Sequence, residues 1–260
     1  MKDKVIDLTV EQTHTRIHYF DRPGSEATLL YVHGLGCASD DFRGMAEQPA
    51  LSGYRLISYD MPGCGRSAYD ASQPFNIERL VLLLDQFVRA LDLKPFLLVG
   101  GSMGGLIGLL FAELHAEKIT GFVNVEGNLR PEDCLFSRQV AGHDYPEFLN
   151  SVFPKILQAL DARGNVGFSC HRSVLTQADP RAYFDNCPQL VEYSDHRQLL
   201  ERFLALRKPR YFLYGSENRH LSYLPQLRQS DCTLLEIPQS NHFPFYDNPP
   251  AYASALASCL

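Results

Sequence analysis

Val99-Gly100-Gly101-Ser102-Met103-Gly104-Gly105 places a serine between glycines two positions before and two after it, directly between an apolar run and a helical pattern. A serine at so tight a strand-to-helix turn has a strained backbone, and small residues at 100 and 104 keep its neighbours from clashing. Its hydroxyl then stands free above the sheet. The helix that begins at Met103 aims backbone N–H groups and the positive end of its dipole at any negative charge developing there, so the Met103 N–H is one candidate oxyanion donor. Gly105 and Gly108 let that helix pack close. A nucleotide-binding Gly-x-Gly-x-x-Gly turn would need its middle glycine where Ser102 stands, so the pattern points to nucleophilic attack by Ser102.

A nucleophilic serine needs a base within hydrogen-bond reach. Ser240-Asn241-His242-Phe243-Pro244 follows the last apolar run and precedes the final helical stretch, which puts His242 on a loop at the same sheet edge as Ser102. His14, His18, His115, His143, His171, His196 and His220 fall in expected strands, helices or a helical region without such a loop setting and read as structural. His33, in His33-Gly34-Leu35-Gly36 at the end of an earlier apolar run, reads as scaffolding. The Leu35 N–H beside it is the candidate second oxyanion donor.

An acid must orient the imidazole and stabilise its protonated form. Two glutamates compete. Glu126 follows the run Gly121 to Val125, and Glu217 lies in Tyr214-Gly215-Ser216-Glu217-Asn218, the loop after the next core strand. Asn218 occupies the place where an aspartate is expected, and an amide brings no negative charge. Glu126 is therefore favoured as a relocated acid, with Glu217 as the alternative. The competing role for Glu126 is to brace a loop through hydrogen bonds.

Elements must position these loops. Val5 to Val10 and His14 to Phe20 read as two strands, and Thr28 to Val32, Tyr54 to Tyr59, Phe96 to Val99, Ile119 to Val125, Arg210 to Tyr214 and Thr233 to Ile237 as buried ones. Helical patterns lie near Asp40 to Glu47, Ile77 to Leu91 and Met103 to His115, and from Pro250 to the C-terminus. Their alternation predicts an α/β fold with a mostly parallel sheet. From Asn128 to about Arg207 the pattern turns helical, including Pro146 to Leu160 and His196 to Leu206, which predicts a helical cap at 128–207 inserted into a core of 1–127 and 208–260.

The composition is that of an ordinary globular chain: 260 residues, 45% hydrophobic and 21% charged. A formal charge of −6 offers no basic footprint for a phosphate backbone, so nucleic acid is not an expected partner. The amino terminus lacks an apolar leader, and no apolar stretch is long enough to span a bilayer, so a cytoplasmic protein is expected. Seven cysteines scattered singly suit reduced thiols and do not suit a metal site. Asp60-Met61-Pro62-Gly63-Cys64-Gly65-Arg66-Ser67 lacks the residues of a P-loop and reads as a structural turn tied by Asp60 and Arg66.

Through the motifs at His33 to Gly36, Asp60 to Ser67, Gly100 to Gly105 and Asn241 to Pro244, in that order, the chain resembles the α/β-hydrolase superfamily over nearly its whole length. The resemblance implies an eight-stranded, mostly parallel sheet flanked by helices, a cap over the active site, and cofactor-free hydrolysis through an acyl-enzyme. Glu126 falls where haloalkane dehalogenases of that superfamily can carry their acid, whereas Ser102 argues against their aspartate-nucleophile chemistry. The expectation is a serine carboxylesterase acting on a small to medium, partly apolar substrate, as a monomer or homodimer. Other expectations compatible with the same residues are a thioesterase, a C–C or N-terminal peptide-bond hydrolase, a small-ligand receptor retaining the fold, and an interaction protein. Phe136, Tyr145, Phe148, Phe153, Phe168, Tyr183 and Phe184 are the candidate pocket walls.

Overall fold

A computed structural model describes residues 2–260. Eight strands form one sheet in the order β1-β2-β4-β3-β5-β6-β7-β8. They are β1 Lys2–Val10, β2 Thr13–Arg22, β3 Thr28–Val32, β4 Arg55–Tyr59, β5 Phe96–Gly101, β6 Ile119–Val125, β7 Arg210–Gly215 and β8 Thr233–Ile237. Only the β1–β2 and β2–β4 pairs are antiparallel; every pair from β4 to β8 is parallel. The central strands are apolar and sealed on both faces, as a sheet covered by helices on both sides requires: every residue of β5 is buried.

Two cores result. One lies between the sheet and the helices α1 (Ile77–Ala90) and α2 (Met103–Leu114), with Leu30, Val32, Leu98 and Phe122 pointing into it. The other holds the alternate residues Leu29, Tyr31, Leu97, Val99 and Val123. That alternation along each strand is the period-2 pleat at work.

Between β6 and β7 the described chain contains no strand, in agreement with the helical sequence pattern. Its longer helices are α3 (Phe153–Ala162), α4 (Val166–Leu175), α5 (Pro180–His196) and α6 (Leu199–Ala205), and the last helix of the chain is α7 (Pro249–Ala257). Three details differ from expectation. Ser39–Glu47 is a 3₁₀ stretch where the sequence pattern predicts an α-helix, with the Asp41 carboxylate accepting from the Ala38 N–H at its start. The stretch expected as a helix from Pro146 to Leu160 is helical throughout, but it widens into a π-helical turn at Phe148–Val152 before α3. His196, expected to open a helix, instead closes α5.

The strand order also fixes where a site can form. From β3 the chain goes to β4 on one side, then crosses to β5 on the other, so the loops leaving β3 and β5 diverge and leave a crevice between them.

Candidate active site

Ser102 leaves β5 with φ +51° and ψ −123° and directly precedes α2. A positive φ at a residue with a Cβ costs about 1–3 kcal/mol and persists only where the surroundings enforce it. The enforcement is visible: the Ser102 N–H donates to the Val125 carbonyl at 3.1 Å. A Cβ at Gly104 would fall on the carbonyl oxygens of Val32 and His33, and one at Gly105 would come within 2.6 Å of the Gly127 Cα. The glycines around Ser102 are thus demanded by close backbone approach on both flanks.

Glu126 leaves the neighbouring strand β6 in the same way, with φ +44°. Its N–H donates to the Leu213 carbonyl, and its buried carboxylate accepts hydrogen bonds from three residues. These come from the Gly215 N–H at 2.7 Å, the Asn218 amide at 2.9 and 2.8 Å to the two oxygens, and His242 Nδ1 at 3.0 Å. A buried carboxylate is tolerable because its lone pairs are so fully used.

Glu217, the alternative acid, is exposed and points elsewhere: it accepts from the Asn241 amide at 2.8 Å. Asn241 Oδ1 in turn accepts from the Asn218 amide at 3.2 Å and from the His242 N–H at 2.8 Å. Asn218, which in sequence resembles the loss of an acid, serves as the donor that holds Glu126.

Ser102 and His242 border one cavity of about 50 Å³ together with Leu35, Cys37, Phe136, Phe168, His171, Tyr183 and Phe243. Met103, the next residue, is buried. Among the described residues, neither the Leu35 nor the Met103 N–H makes a turn or cap bond to a backbone carbonyl, and Met103 as the first residue of α2 has no acceptor within its helix.

His33 is fully buried and structural: Nδ1 lies 2.8 Å from the Gly34 carbonyl, and Nε2 accepts from the Met61 N–H at 3.0 Å. Burial pushes its pKa below the usual range, so the ring stays neutral. Asp60 ties the following turn through the N–H groups of Ser39 and Arg66, at 2.7 and 3.0 Å; the Arg66 guanidinium turns mainly to Asp3, at 3.2 Å, and is 4.0 Å from Asp60.

Of the seven aromatic wall candidates, Phe136, Phe168 and Tyr183 border the cavity. Tyr145, Phe148, Phe153 and Phe184 instead pack against one another with tilted or edge-on rings. Sequence reasoning takes His171 as structural and Cys37 as one of the scattered thiols, whereas both border the cavity, with Sγ and Nδ1 3.5 Å apart. Nothing local marks either residue, since their proximity exists only once α4 folds over the sheet. All seven cysteines are free, and among the described residues no cluster has the makings of a metal site and no helix is long and apolar enough to cross a membrane.

Comparison with known proteins agrees with this architecture. The magnesium-chelatase 30 kDa subunit of Rhodobacter capsulatus is 36% identical over 186 residues, covering 66% of this chain and 61% of that protein. The pimeloyl-[acyl-carrier protein] methyl ester esterase of Edwardsiella ictaluri is 26% identical over 247 residues, covering 88% and 91%. The chain spans between 36% and 61% of the length of several other curated relatives, that subunit included. A solved thermophilic esterase from Thermogutta terrifontis superposes with a TM-score of 0.81 at 20% identity, over 98% of this chain and 97% of that one, a likeness of fold. The model of the alpha/beta hydrolase fold matches residues 27–164, from β3 through the Ser102 turn and into the helical segment, and the chain belongs to the α/β-hydrolase family.

Proposed function

We propose that the protein is a serine hydrolase that cleaves a carboxylic ester through an acyl-enzyme, with Ser102 as nucleophile, His242 as general base and Glu126 as the acid that orients it. The observation that carries this reading is the 3.0 Å contact of Glu126 with His242 Nδ1 at the cavity that Ser102 borders. With Nδ1–H given to the carboxylate, Nε2 is left as the basic nitrogen.

In this mechanism His242 Nε2 takes the Ser102 proton as Oγ attacks the ester carbonyl. The N–H groups of Leu35 and Met103 stabilise the oxyanion, and the field at the α2 amino terminus adds to them. The imidazolium, stabilised by Glu126, protonates the departing alcohol. Water then enters and attacks the acyl carbonyl as it gives a proton to His242, and His242 returns that proton to Ser102 Oγ as the acyl–oxygen bond breaks and the acid leaves.

Residues 128–207 act as a cap, contributing Phe136, Phe168 and Tyr183 to the cavity wall. A space of about 50 Å³ holds roughly four water-sized positions, enough for a short acyl chain. A second space of about 250 Å³, bordered by Asn218, Asn241, Arg163 and His220, shares His242, Asp133 and Leu135 with the first and gives the alcohol a way out. The relatives named as esterases support an ester as the substrate class.

The test is a panel of 4-nitrophenyl esters from acetate to octanoate, assayed with the wild type and Ser102→Ala. Turnover highest for acetate to butanoate and lost in Ser102→Ala supports the reading; equal rates for the two proteins overturn it.

A further inference from the structure

His171 on α4 has no part in the mechanism above, yet it borders the cavity with Ser102 and His242 while being only 5% exposed. Its ring is fixed on two sides. One face stacks on Phe243, with centroids 4.6 Å apart and 24° between the planes, and Nδ1 lies 3.5 Å from Cys37 Sγ. Nε2 has no partner among the described side chains, and it is not among the buried polar atoms sealed from all space. The ring that carries it borders the cavity.

The neighbours of Cys37 decide which nitrogen carries the proton. The buried thiol lies near the Asp41 carboxylate, and burial and that negative charge hold the thiol protonated. Asp41 also accepts from the Tyr246 hydroxyl at 2.6 Å and the Ala38 N–H at 3.1 Å. A thiol proton beside a carboxylate turns toward that charge, which leaves the sulfur lone pairs to accept from His171 Nδ1–H and leaves Nε2 its own lone pair. Burial, with a lesser effect of His242, lowers the His171 pKa to about 3, so the ring brings no positive charge to the cavity.

We infer that His171 Nε2 accepts a hydrogen bond from a neutral donor on the substrate, a hydroxyl group above all, so that the enzyme selects hydroxylated esters over otherwise identical ones. Leu35, Phe136, Phe168 and Phe243 give the wall apolar area; of its polar residues Asp133, Ser137 and Tyr183, Asp133 already accepts from the Leu129 and Arg130 N–H groups and the Tyr223 hydroxyl, so an unpaired imidazole lone pair there is a feature that a plain alkyl chain leaves unsatisfied. A carboxylate on the substrate is disfavoured at the same place, because two lone pairs would face each other. His171 is in this account a specificity-determining residue, and the inference rests on the ester-hydrolase reading only for its kinetic readout.

The experiment uses methyl 2-, 3- and 4-hydroxybutanoate, each beside its O-methyl ether. Binding is measured on Ser102→Ala by ligand-detected NMR, and kcat/KM on the protein with Ser102 intact. At least one pair is expected to show a preference for the hydroxyl of about five- to tenfold, the scale of one net hydrogen bond. In His171→Phe, which keeps the stacking on Phe243, that ratio is expected to fall to within about twofold. His171→Gln, whose amide oxygen can accept, is expected to restore part of it. A purely structural role would lower both members of a pair together and leave the ratio unchanged, which would overturn the inference. No preference in any pair also overturns it. Selective binding without turnover of any ester would leave the inference standing and remove the ester-hydrolase reading instead.

Discussion

The carboxylate of Glu126, at the end of β6, lies 3.0 Å from Nδ1 of His242, 116 positions further along the chain. Glu126 is held there from three directions, by the Gly215 N–H, the Asn218 amide and its own positive-φ backbone. Rigid placement of this kind is what an orienting acid requires, and it separates the two glutamates by geometry.

Glu126→Gln should therefore lower kcat by a factor on the order of 10³–10⁴, because the amide no longer enforces the imidazole tautomer or stabilises the imidazolium. Glu217→Gln, at an exposed side chain whose contact is with Asn241, should stay within about threefold of the wild type. Steady-state kinetics on the two variants side by side checks this; a larger loss at Glu217 contradicts it.

Asn218 donates to both oxygens of Glu126. Asn218→Ala should lower kcat about tenfold, the scale of a lost hydrogen bond to a charged group, with an unchanged pH profile. Asn218→Asp sets a second carboxylate against the first, so the pair takes up a proton at higher pH and the acidic limb of kcat against pH should move upward. An unmoved acidic limb in Asn218→Asp would show that the contact is not maintained in solution.

Gly104→Ala brings a methyl group onto the carbonyl oxygens of Val32 and His33, atoms of the sheet that cannot turn aside. The expected loss is about 3 kcal/mol or more of stability, read as a fall in Tm. A normal Tm would mean that β3 can move away from α2.

Asp41 is buried, and desolvation raises its pKa to about 6. In the unfolded chain the group ionises near pH 4, so between about pH 4 and pH 6 the folded state binds more protons and stability falls as pH rises. Below that window both states are protonated and the effect is absent. Relative to Asp41→Asn, the wild type should lose up to about 3 kcal/mol across the window, measured by urea denaturation at a series of pH values. A difference that does not change with pH contradicts the burial argument.

What can be read from the sequence follows the range of the forces involved. The Ser102 turn and the strands β3 to β8 are written locally, in glycine spacing and apolar runs, and those patterns place them within a few residues of where they stand. The π-helical turn at Phe148–Val152 escapes a sequence reading because Phe148 packs in an aromatic cluster with Tyr183 and Phe184, contacts that no local pattern shows. At Ser39–Glu47 the Asp41 side chain competes for a backbone N–H, which a search for apolar spacing overlooks. Asn218 reads as a missing acid because its partner Glu126 is 92 positions away. His171 reads only as structural for the same reason, its neighbours Cys37 and Phe243 coming from the loops after β3 and β8.

Activation of Ser102 by His242 is the property on which the proposed chemistry depends. Intact-mass spectrometry after brief exposure to a fluorophosphonate, which reacts quickly only with an activated serine, measures that property without a choice of substrate. The wild type should gain the mass of one phosphonyl group within minutes and Ser102→Ala none. Labelling of both proteins alike, or of neither, would contradict the assignment of Ser102 as nucleophile.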